Sequence, residues 1–342
     1  MTYDYAVIGG GVSGMTSALI LARHGLRTAL IEASPHIGPT VMGFERHGVY
    51  FDTGFHYTGG LGRGEPLDTF FRYLGLIDLI TKVPLRKERF DSFRCLEPDF
   101  LFDFPYGYDN ILSVFEEHFP EEIDAINTYL AAVKKYYHSV PYVNLERENA
   151  EARLSDVDGP TLQEFLDGLT SNTVLKCILS MHCFLHGVPP VAVSLAQHAY
   201  VAGSYYESAH AISGGGRRLA NAFYDRLNSA GVDMYCGKAA TSLLLSSDGT
   251  LTGIRLENGM AISTKGCIAT VHPLELLKIT PEQVFRPAYR NRLRELQDTP
   301  SACILYAVCS SPVEELEGSN IFLFPTPDFD FLTKDKPVDM RP

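Results

Sequence analysis

The sequence predicts an α/β protein whose central sheet is parallel. Residues 4–8 form an apolar run rich in β-branched side chains, as expected of a buried strand. A glycine-rich turn follows and leads into a helical pattern, after which residues 28–31 form a second strand pattern. Strands that alternate with helices in this way are typical of a parallel sheet.

The turn between the first strand and its helix has the spacing of a dinucleotide-binding loop. Its glycines are Gly9, Gly11 and Gly14, which gives G-x-G-x-x-G. Gly9 allows the tight turn, Gly11 lets a diphosphate approach the backbone, and Gly14 permits close packing of the helix on the sheet. The helix N-terminus adds N–H donors for an anion. We therefore predict that these glycines and Ser13 bind a dinucleotide.

An acidic residue follows the second strand. Glu32 lies 23 residues after Gly9, where a carboxylate can accept hydrogen bonds from ribose hydroxyls and repels a 2′-phosphate. The ligand is thus predicted to be FAD or NAD and not NADP. The alternative from these residues alone is a structural glycine turn beside a solvated Glu32.

The composition limits the function classes. The chain has 342 residues, which favours two domains, and a net charge of −12, which argues against a nucleic-acid partner. No apolar run is long enough to span a bilayer, and the loop motif lies so near residue 1 that we expect no targeting peptide. We predict a cytoplasmic protein and leave peripheral membrane contact and the oligomeric state open.

Seven cysteines lack C-x-x-C spacing and are interpreted as buried thiols in a reducing compartment. His182, Cys183 and His186 are near enough along the chain to imitate metal ligands. They lie in an apolar run without a nearby carboxylate, so we expect a packed core there and no metal site.

A second informative stretch comes after these strands. Residues 43–54 predict a strand pair with its turn at His47 and Gly48, and residues 51–60 are Phe-Asp-Thr-Gly-Phe-His-Tyr-Thr-Gly-Gly. With residues 4–32, this stretch resembles the flavoprotein family of phytoene desaturases, carotenoid isomerases and retinol saturases, and the retinol saturase side most. The resemblance implies FAD as the cofactor, with its ADP half on the glycine loop and the acid.

The same resemblance implies further cofactor contacts. The segment that matches residues 51–60 passes close to the flavin in this family, so Thr53 and Gly54 are candidates. Gly38 is a further candidate, in the loop just after the ribose acid, where the family commonly has a glycine pair. A later glycine turn opens a helix, and the resemblance places Gly215 near the flavin as well. Ala240 matches the residue whose backbone meets the adenine ring, although the family usually has valine there.

Two domains are expected. Residues 241–264 contain three strand patterns with turns between them, and residues 266–270 form a fourth. A β-meander that returns to a parallel strand is how glutathione-reductase-like FAD domains connect their sheet. We predict such a Rossmann-type FAD-binding domain with an inserted α+β substrate domain. The predicted bounds are 1–78 and 206–275 for the FAD domain, and 79–205 and 276–342 for the substrate domain.

The substrate domain has weaker signals. Residues 90–108 predict aromatic-rich strands, residues 109–137 are helical in pattern, and residues 161–194 predict two helices broken at 187–190. The predicted elements near the end are a helix over 282–297 and a buried strand over 302–310.

The catalytic candidates come from the resemblance. A bound flavin carries the redox chemistry, and the protein supplies placement and electrostatics. His56 and Tyr57 are expected nearest the flavin, and a histidine can shuttle a proton near neutral pH. The alternative is that His56 only packs beside the cofactor. Asp52 is expected to orient its own loop by accepting backbone N–H bonds, and Arg217 either to face an anion or to stay solvated.

The expected activity is that of an FAD-dependent desaturase, saturase or isomerase. Its small apolar substrate would be a long polyene or isoprenoid such as a carotenoid or retinoid. Two alternatives stay open, namely another amine-oxidase-like FAD oxidoreductase and a truncated, non-catalytic nucleotide-binding protein. An NAD-only dehydrogenase fits residues 9–32 equally well but fits residues 51–60 and the meander poorly.

Two departures from the family pattern motivate the truncated alternative. The glycine-rich closing segment that the family carries has no match after Asn320. The family commonly has a glycine pair just after the ribose acid, where this chain has Gly38, Pro39 and Thr40. Because a proline lacks an N–H donor, the diphosphate contacts of this loop are also in question.

Overall fold

The structure, a computed structural model, describes residues 2–140, 143, 159–296 and 298–329. Its strands, in chain order, are β1 (Tyr3–Ile8), β2 (Thr28–Ile31), β3 (Phe44–Arg46), β4 (Val49–Phe51), β5 (Thr58–Gly59), β6 (Lys82–Pro84), β7 (Asp91–Cys95), β8 (Phe100–Phe104), β9 (Ala209–Ile212), β10 (Asp233–Tyr235), β11 (Ala240–Leu245), β12 (Leu251–Leu256), β13 (Ala261–Ala269) and β14 (Asn320–Phe324). Its helices are α1 (Val12–Arg23), α2 (Pro66–Leu74), α3 (Tyr108–His118), α4 (Ile123–Ser139), α5 (Leu162–Asp167), α6 (Thr173–Ser180), α7 (Leu195–Glu207), α8 (Gly215–Ser229), α9 (Pro273–Ile279) and α10 (Pro287–Arg294).

The chain divides into two compact units. The first comprises residues 1–56, 70–81 and 212–298, and the second comprises the remaining segments. These bounds differ from the predicted domain bounds in two main places, since residues 57–69 belong to the second unit and residues 276–298 to the first. The roles of cofactor and substrate domain stay predictions.

The first unit is built on a six-stranded sheet in the order β10-β2-β1-β13-β12-β11. The strands β10, β2, β1 and β13 are parallel, and β13 pairs antiparallel with β12, which pairs antiparallel with β11. The side chains of Ala6, Val7, Ala29 and Leu30 are fully buried. Burial on both faces explains why β1 and β2 are continuous apolar runs in the sequence.

The predicted Rossmann-type architecture with its β-meander is therefore confirmed. One detail differs, because the strands expected over 260–264 and 266–270 are a single strand, β13. Its first residues pair with β12 and its later residues with β1. The predicted hairpin is also present, with positive φ angles of 53° at His47 and 76° at Gly48 between β3 and β4.

The second unit contains two three-stranded sheets and the helices α3 to α7. One sheet has the order β14-β7-β8, with β14 parallel and β8 antiparallel to β7, and the other has the order β5-β9-β6. Aromatic side chains fill its core. Those with no exposed surface include Phe90, Phe93, Phe102, Phe104, Phe115 and Phe324.

Three expectations about this unit were wrong. Residues 161–194 contain α5, α6 and the 3₁₀ helix Met181–Leu185, and the helix beyond the break starts only at Leu195, where the Ser194 hydroxyl caps it by accepting from the backbone N–H of Gln197. Residues 302–310 form no strand. The cysteines Cys303 and Cys309 within them are exposed, whereas Cys95, Cys177 and Cys183 are buried as expected.

The failure at residues 302–310 has a physical reason. An apolar run becomes a strand only when a neighbouring strand satisfies its backbone, and within the described residues this segment pairs with none. Leu305 is 91% exposed as a result.

The helix predicted over 282–297 is interrupted. A 3₁₀ helix, Glu282–Val284, precedes α10, and Pro287 opens α10. A proline disfavours helical geometry in the residue before it, so the two cannot merge. Gln297 lies outside the described residues. Among the described helices, none is both long and apolar enough to cross a membrane.

Candidate functional site

The glycine loop links β1 to α1 in the first unit. Gly9 has a φ of 104°, a conformation that favours glycine, and a Cβ on Gly14 would lie 1.8 Å from the carbonyl oxygen of Gly9. The expected roles of these two residues in the turn and in helix packing are therefore confirmed. Gly11 differs, since a Cβ there would contact only the Thr40 hydroxyl, at 3.7 Å.

Open space thus faces the start of α1. Gly11 is the N-cap residue, and it provides no side chain to satisfy the first N–H groups of the helix. Val12 and Ser13 are exposed in the first turn. Free N–H donors at the positive end of a helix dipole are what an anionic group requires.

Glu32 lies beside this loop. Its carboxylate accepts hydrogen bonds from the backbone N–H of Gly10 at 2.5 Å and from that of Ser34 at 2.7 Å. The residue is only 8% exposed, so the alternative of a solvated Glu32 is wrong. Each carboxylate oxygen can accept more than one hydrogen bond, so Glu32 keeps acceptor capacity toward a ligand.

A cavity of about 190 Å³ opens at the carboxyl ends of β1 and β2. Gly9, Glu32, Ala240 and Val271 are among the residues that line it. In an open parallel sheet, ligands bind at this end of the strands. The structure therefore brings together three of the predicted site residues, although they lie far apart in sequence.

The loop after β2 returns to the glycine turn. The backbone N–H of Gly38 donates to the carbonyl of Gly10 at 2.7 Å. Thr53 donates its hydroxyl to the carbonyl of Met42 at 3.1 Å, and a Cβ on Gly54 would lie 2.5 Å from the carbonyl oxygen of Thr40. Gly38, Thr53 and Gly54 thus hold this loop in place.

The turn before α8 is packed against Asp52. The Asp52 carboxylate accepts from the backbone N–H of Gly216 at 2.9 Å, and a Cβ on Gly215 would lie 2.0 Å from that carboxylate. Asp52 therefore accepts a backbone N–H as expected, but this N–H belongs to the start of α8 and not to the loop of Asp52 itself. Arg217 stacks on the ring of Tyr50 at 4.0 Å, and its Nη1 lies 3.9 Å from the carboxylate of Glu45, so its charge faces an acidic side chain of this chain.

The two catalytic candidates have different surroundings. His56 is exposed, and Tyr57 is partly buried in the second unit, where its hydroxyl donates to the Asp91 carboxylate at 3.1 Å. Asp91 is fully buried and also lies 3.0 Å from Nε2 of His182. Burial, and then the charge of Asp91, raises the pKa of Tyr57 above its ordinary value. Tyr57 therefore keeps its proton at neutral pH.

The three residues that are close in sequence, His182, Cys183 and His186, do not form one cluster in the structure. His182 faces Asp91, a carboxylate that is distant in sequence, whereas the ligand atoms of Cys183, His186 and His198 lie within 4.8 Å of one another. Burial lowers the pKa of His186 to about 4 and that of His198 well below its ordinary value. Both imidazoles are therefore neutral at physiological pH.

Hydrogen bonds account for these two histidines without an ion. The backbone N–H of Val188 donates to Nδ1 of His186 at 3.3 Å, which places the proton of this ring on Nε2. That Nε2 lies 3.5 Å from Nδ1 of His198, whose Nε2 lies 3.0 Å from the Tyr129 hydroxyl. A metal on Nε2 of His186 would need the opposite tautomer.

Comparison with known proteins identifies the family to which the chain belongs. A model of the flavin-containing amine oxidoreductases matches residues 12–340. The chain belongs to this family. The resemblance found in the motifs and the FAD cofactor that it implies are thus confirmed.

The chain is also similar to individual proteins of known sequence or structure. All-trans-retinol 13,14-reductase of Rattus norvegicus is 24% identical over 96% of this chain and 57% of its own length. Carotenoid 3,4-desaturase of Haloarcula japonica is 26% identical over 44% of this chain and 30% of its own length. An oxidoreductase from Methanosarcina mazei superposes with a TM-score of 0.66 at 18% identity, over 86% of this chain and 65% of that one, and so shares the fold. The chain spans little more than half the length of the retinol reductase.

The residues of the first unit fit FAD. The space in front of Gly11 leaves room for a diphosphate, the first turn of α1 offers N–H donors, and Glu32 keeps free acceptor capacity. Gly215 fits less directly, since Asp52 fills the space in front of its Cα.

Sequence reasoning missed two residues of this site. Thr40 is the side chain nearest to a Cβ on Gly11, and Thr270 donates its hydroxyl to the carbonyls of Ile8 and Gly9, at 3.1 and 3.2 Å. Thr270 follows the last parallel strand, so its position next to the glycine loop was the available signal.

Proposed function

We propose that this chain binds FAD in the crevice of its first unit and functions as an oxidoreductase on a long apolar polyene or isoprenoid, such as a carotenoid or retinoid. One observation carries the cofactor proposal: the cavity at the carboxyl ends of β1 and β2 is lined by both Gly9 and Glu32. The substrate class is supported by the names of two relatives, a retinol reductase and a carotenoid desaturase.

The cofactor contacts follow from the geometry. The N–H groups at Gly11, Ser13 and Gly14 bind the diphosphate, since they open α1 without a side-chain cap. Glu32 accepts from the ribose hydroxyls while it stays fixed by two backbone N–H groups. Ala240, which lines the same cavity, meets the adenine.

Four further residues support these cofactor contacts by positioning the backbone around them. Gly38, Thr53 and Gly54 keep the loop after β2 close to the glycine turn. Gly215 presents the start of α8, where Asp52 fixes the backbone.

The chemistry that bound FAD would supply here is hydride transfer to or from the substrate. Tyr57 supplies a protonated hydroxyl that Asp91 holds in one orientation. His56 is exposed and free to carry a proton to or from the reacting carbon. The core aromatic residues of the second unit pack on one another, so we place the substrate contacts on side chains outside that core.

The test begins with the absorbance spectrum of the purified protein. A flavin-bearing protein is then reduced without oxygen and incubated with all-trans-retinol or a carotenoid, and the products are separated by chromatography. Conversion of the polyene supports the proposal. In a separate sample the oxidised protein is mixed with an amine without oxygen. Flavin bleaching there, without polyene turnover, supports the amine-oxidase-like alternative, and a protein that takes up no flavin supports the non-catalytic one.

Variants test the two catalytic candidates. Tyr57→Phe and His56→Gln are expected to lower turnover at least about tenfold with flavin content unchanged. His47→Asn, which changes an exposed histidine in the β3–β4 turn, is the matched control. Wild-type turnover in both site variants would remove these residues from the reaction.

A further inference from the structure

A cluster of arginines surrounds a second cavity of the first unit. This surface cavity of about 790 Å³ lies beside α10, and Arg286, Arg290 and Arg294 line it. Arg290 and Arg294 are four positions apart on α10 and so share one face of the helix, and Arg286 is the N-cap residue just before its first turn. The cavity shares no lining residue with the FAD crevice.

Arg290 is the unusual member of this cluster. Its Nε and Nη1 atoms are buried and have no hydrogen-bond partner in the described part of the chain. Burying guanidinium N–H groups without acceptors is costly, because they lose their water and gain nothing. An acceptor from outside the chain would remove this cost.

The neighbouring charges do not supply that acceptor. Arg294 donates to the amide oxygen of Asn291 at 3.3 Å, which leaves its charge unbalanced. Glu282 is the acidic residue among those that line the cavity. Within the described ranges, no ion pair is found for Arg286, Arg290 or Arg294. Like charges on one helix face repel, and a bound polyanion relieves this repulsion.

We propose that this cavity binds a phosphate-bearing small molecule, with a diphosphate group as the part recognised. Guanidinium groups bind phosphate oxygens in pairs of parallel hydrogen bonds, and three arginines match the charge of a diphosphate. The site is concave and basic in a protein with a net charge of −12, so it is a local feature of the surface. The ligand is either free diphosphate or a nucleotide that carries one.

The helix provides a matched control. Arg292 lies on α10 but stacks on the ring of Tyr289 at 5.3 Å and does not line the cavity. Arg290→Gln and Arg292→Gln remove the same charge from the same helix. A difference between them therefore reports the site and not the net charge.

The experiment is calorimetric titration with sodium pyrophosphate and with ADP at about 50 mM ionic strength. It is done on the chain loaded with one equivalent of FAD and freed of excess FAD by gel filtration and, separately, on Gly11→Val, so that binding at the glycine loop is not counted. We expect saturable binding in both, weakened at least about tenfold by Arg290→Gln and less than about twofold by Arg292→Gln. Equal affinity for the two ligands identifies the diphosphate alone, and tighter binding of ADP identifies a nucleotide.

Two results would overturn the proposal. One is the absence of saturable binding of either ligand. The other is an equal loss in the two arginine variants, which would show only a general effect of charge. Neither result depends on flavin binding or turnover, so the failure of this proposal is distinct from the failure of the proposed function.

Discussion

The backbone N–H of Gly10 donates to the carboxylate of Glu32 at 2.5 Å, so the glycine loop and the acid that follows β2 are held as one piece. A second N–H, from Ser34, fixes the other carboxylate oxygen. The acid therefore has a fixed position at the crevice before any ligand arrives. Such preorganisation lowers the entropy lost when a cofactor binds.

Replacement of Glu32 is the first prediction. Glu32→Ala leaves two backbone donors without their acceptor, so the free energy of unfolding is expected to fall by roughly 2–4 kcal/mol. The affinity for FAD is expected to fall at least about tenfold. Urea unfolding and FAD titration measure the two effects. Glu45→Ala, at an exposed strand position, is the control, and a similar loss there would contradict the assignment.

The second prediction is that adding a side chain at Gly14 destabilises the protein, because the helix packs closely on the strand there. A Cβ at this position would lie 1.8 Å from the carbonyl oxygen of Gly9. We expect Gly14→Ala to lower the free energy of unfolding by about 2 kcal/mol or more, because α1 must move away from β1. Gly11→Ala, where the space is open, is expected to change it by less than about 1 kcal/mol. Equal losses in the two variants, measured by urea unfolding, would show that this packing is wrong.

The bond between Asp52 and Gly216 gives the third prediction. Asp52→Asn removes a negative charge from the start of α8, where the helix dipole favours one. The free energy of unfolding is expected to fall by roughly 1–3 kcal/mol. Asp225→Asn, an exposed change of equal charge on the same helix, is expected to have little effect. If both variants unfold at the wild-type urea concentration, the bond does not stabilise the turn.

The fourth prediction concerns pH. Burial, with a smaller effect from His182, lowers the pKa of His186 to about 4. In the unfolded chain a histidine binds a proton near pH 6.5, so acid favours the unfolded state between about pH 6.5 and 4. This part of the stability is fully present above about pH 6.5 and is lost below it. His186→Gln is expected to flatten the plot of unfolding free energy against pH, whereas the exposed His24→Gln is not. An unchanged slope in His186→Gln would contradict the assignment.

The sequence predicted those elements whose signals are local. The strand runs of β1 and β2, the glycine spacing and the hairpin turn at His47 each depend on a few neighbouring residues, and all are present. The segment 302–310 failed because a strand also needs a partner, which its own residues do not reveal.

The site contacts show the same limit. Asp52 and Gly216 are 164 residues apart, and Asp91 and His182 are 91 apart. Neither pair has a motif that links its members, since a single hydrogen bond requires only a donor and an acceptor at the right place. The tertiary fold creates these contacts, so sequence spacing gave no sign of them.

The central claim is that the crevice beside Gly11 binds the diphosphate of FAD. The most direct test is a titration of FAD into the apoprotein, followed by calorimetry, for the wild type and for Gly11→Ala. We expect saturable binding to the wild type and at least about tenfold weaker binding to the variant, with its unfolding free energy unchanged within about 1 kcal/mol. Wild-type affinity in the folded variant, or no saturable binding to either protein, would contradict the claim.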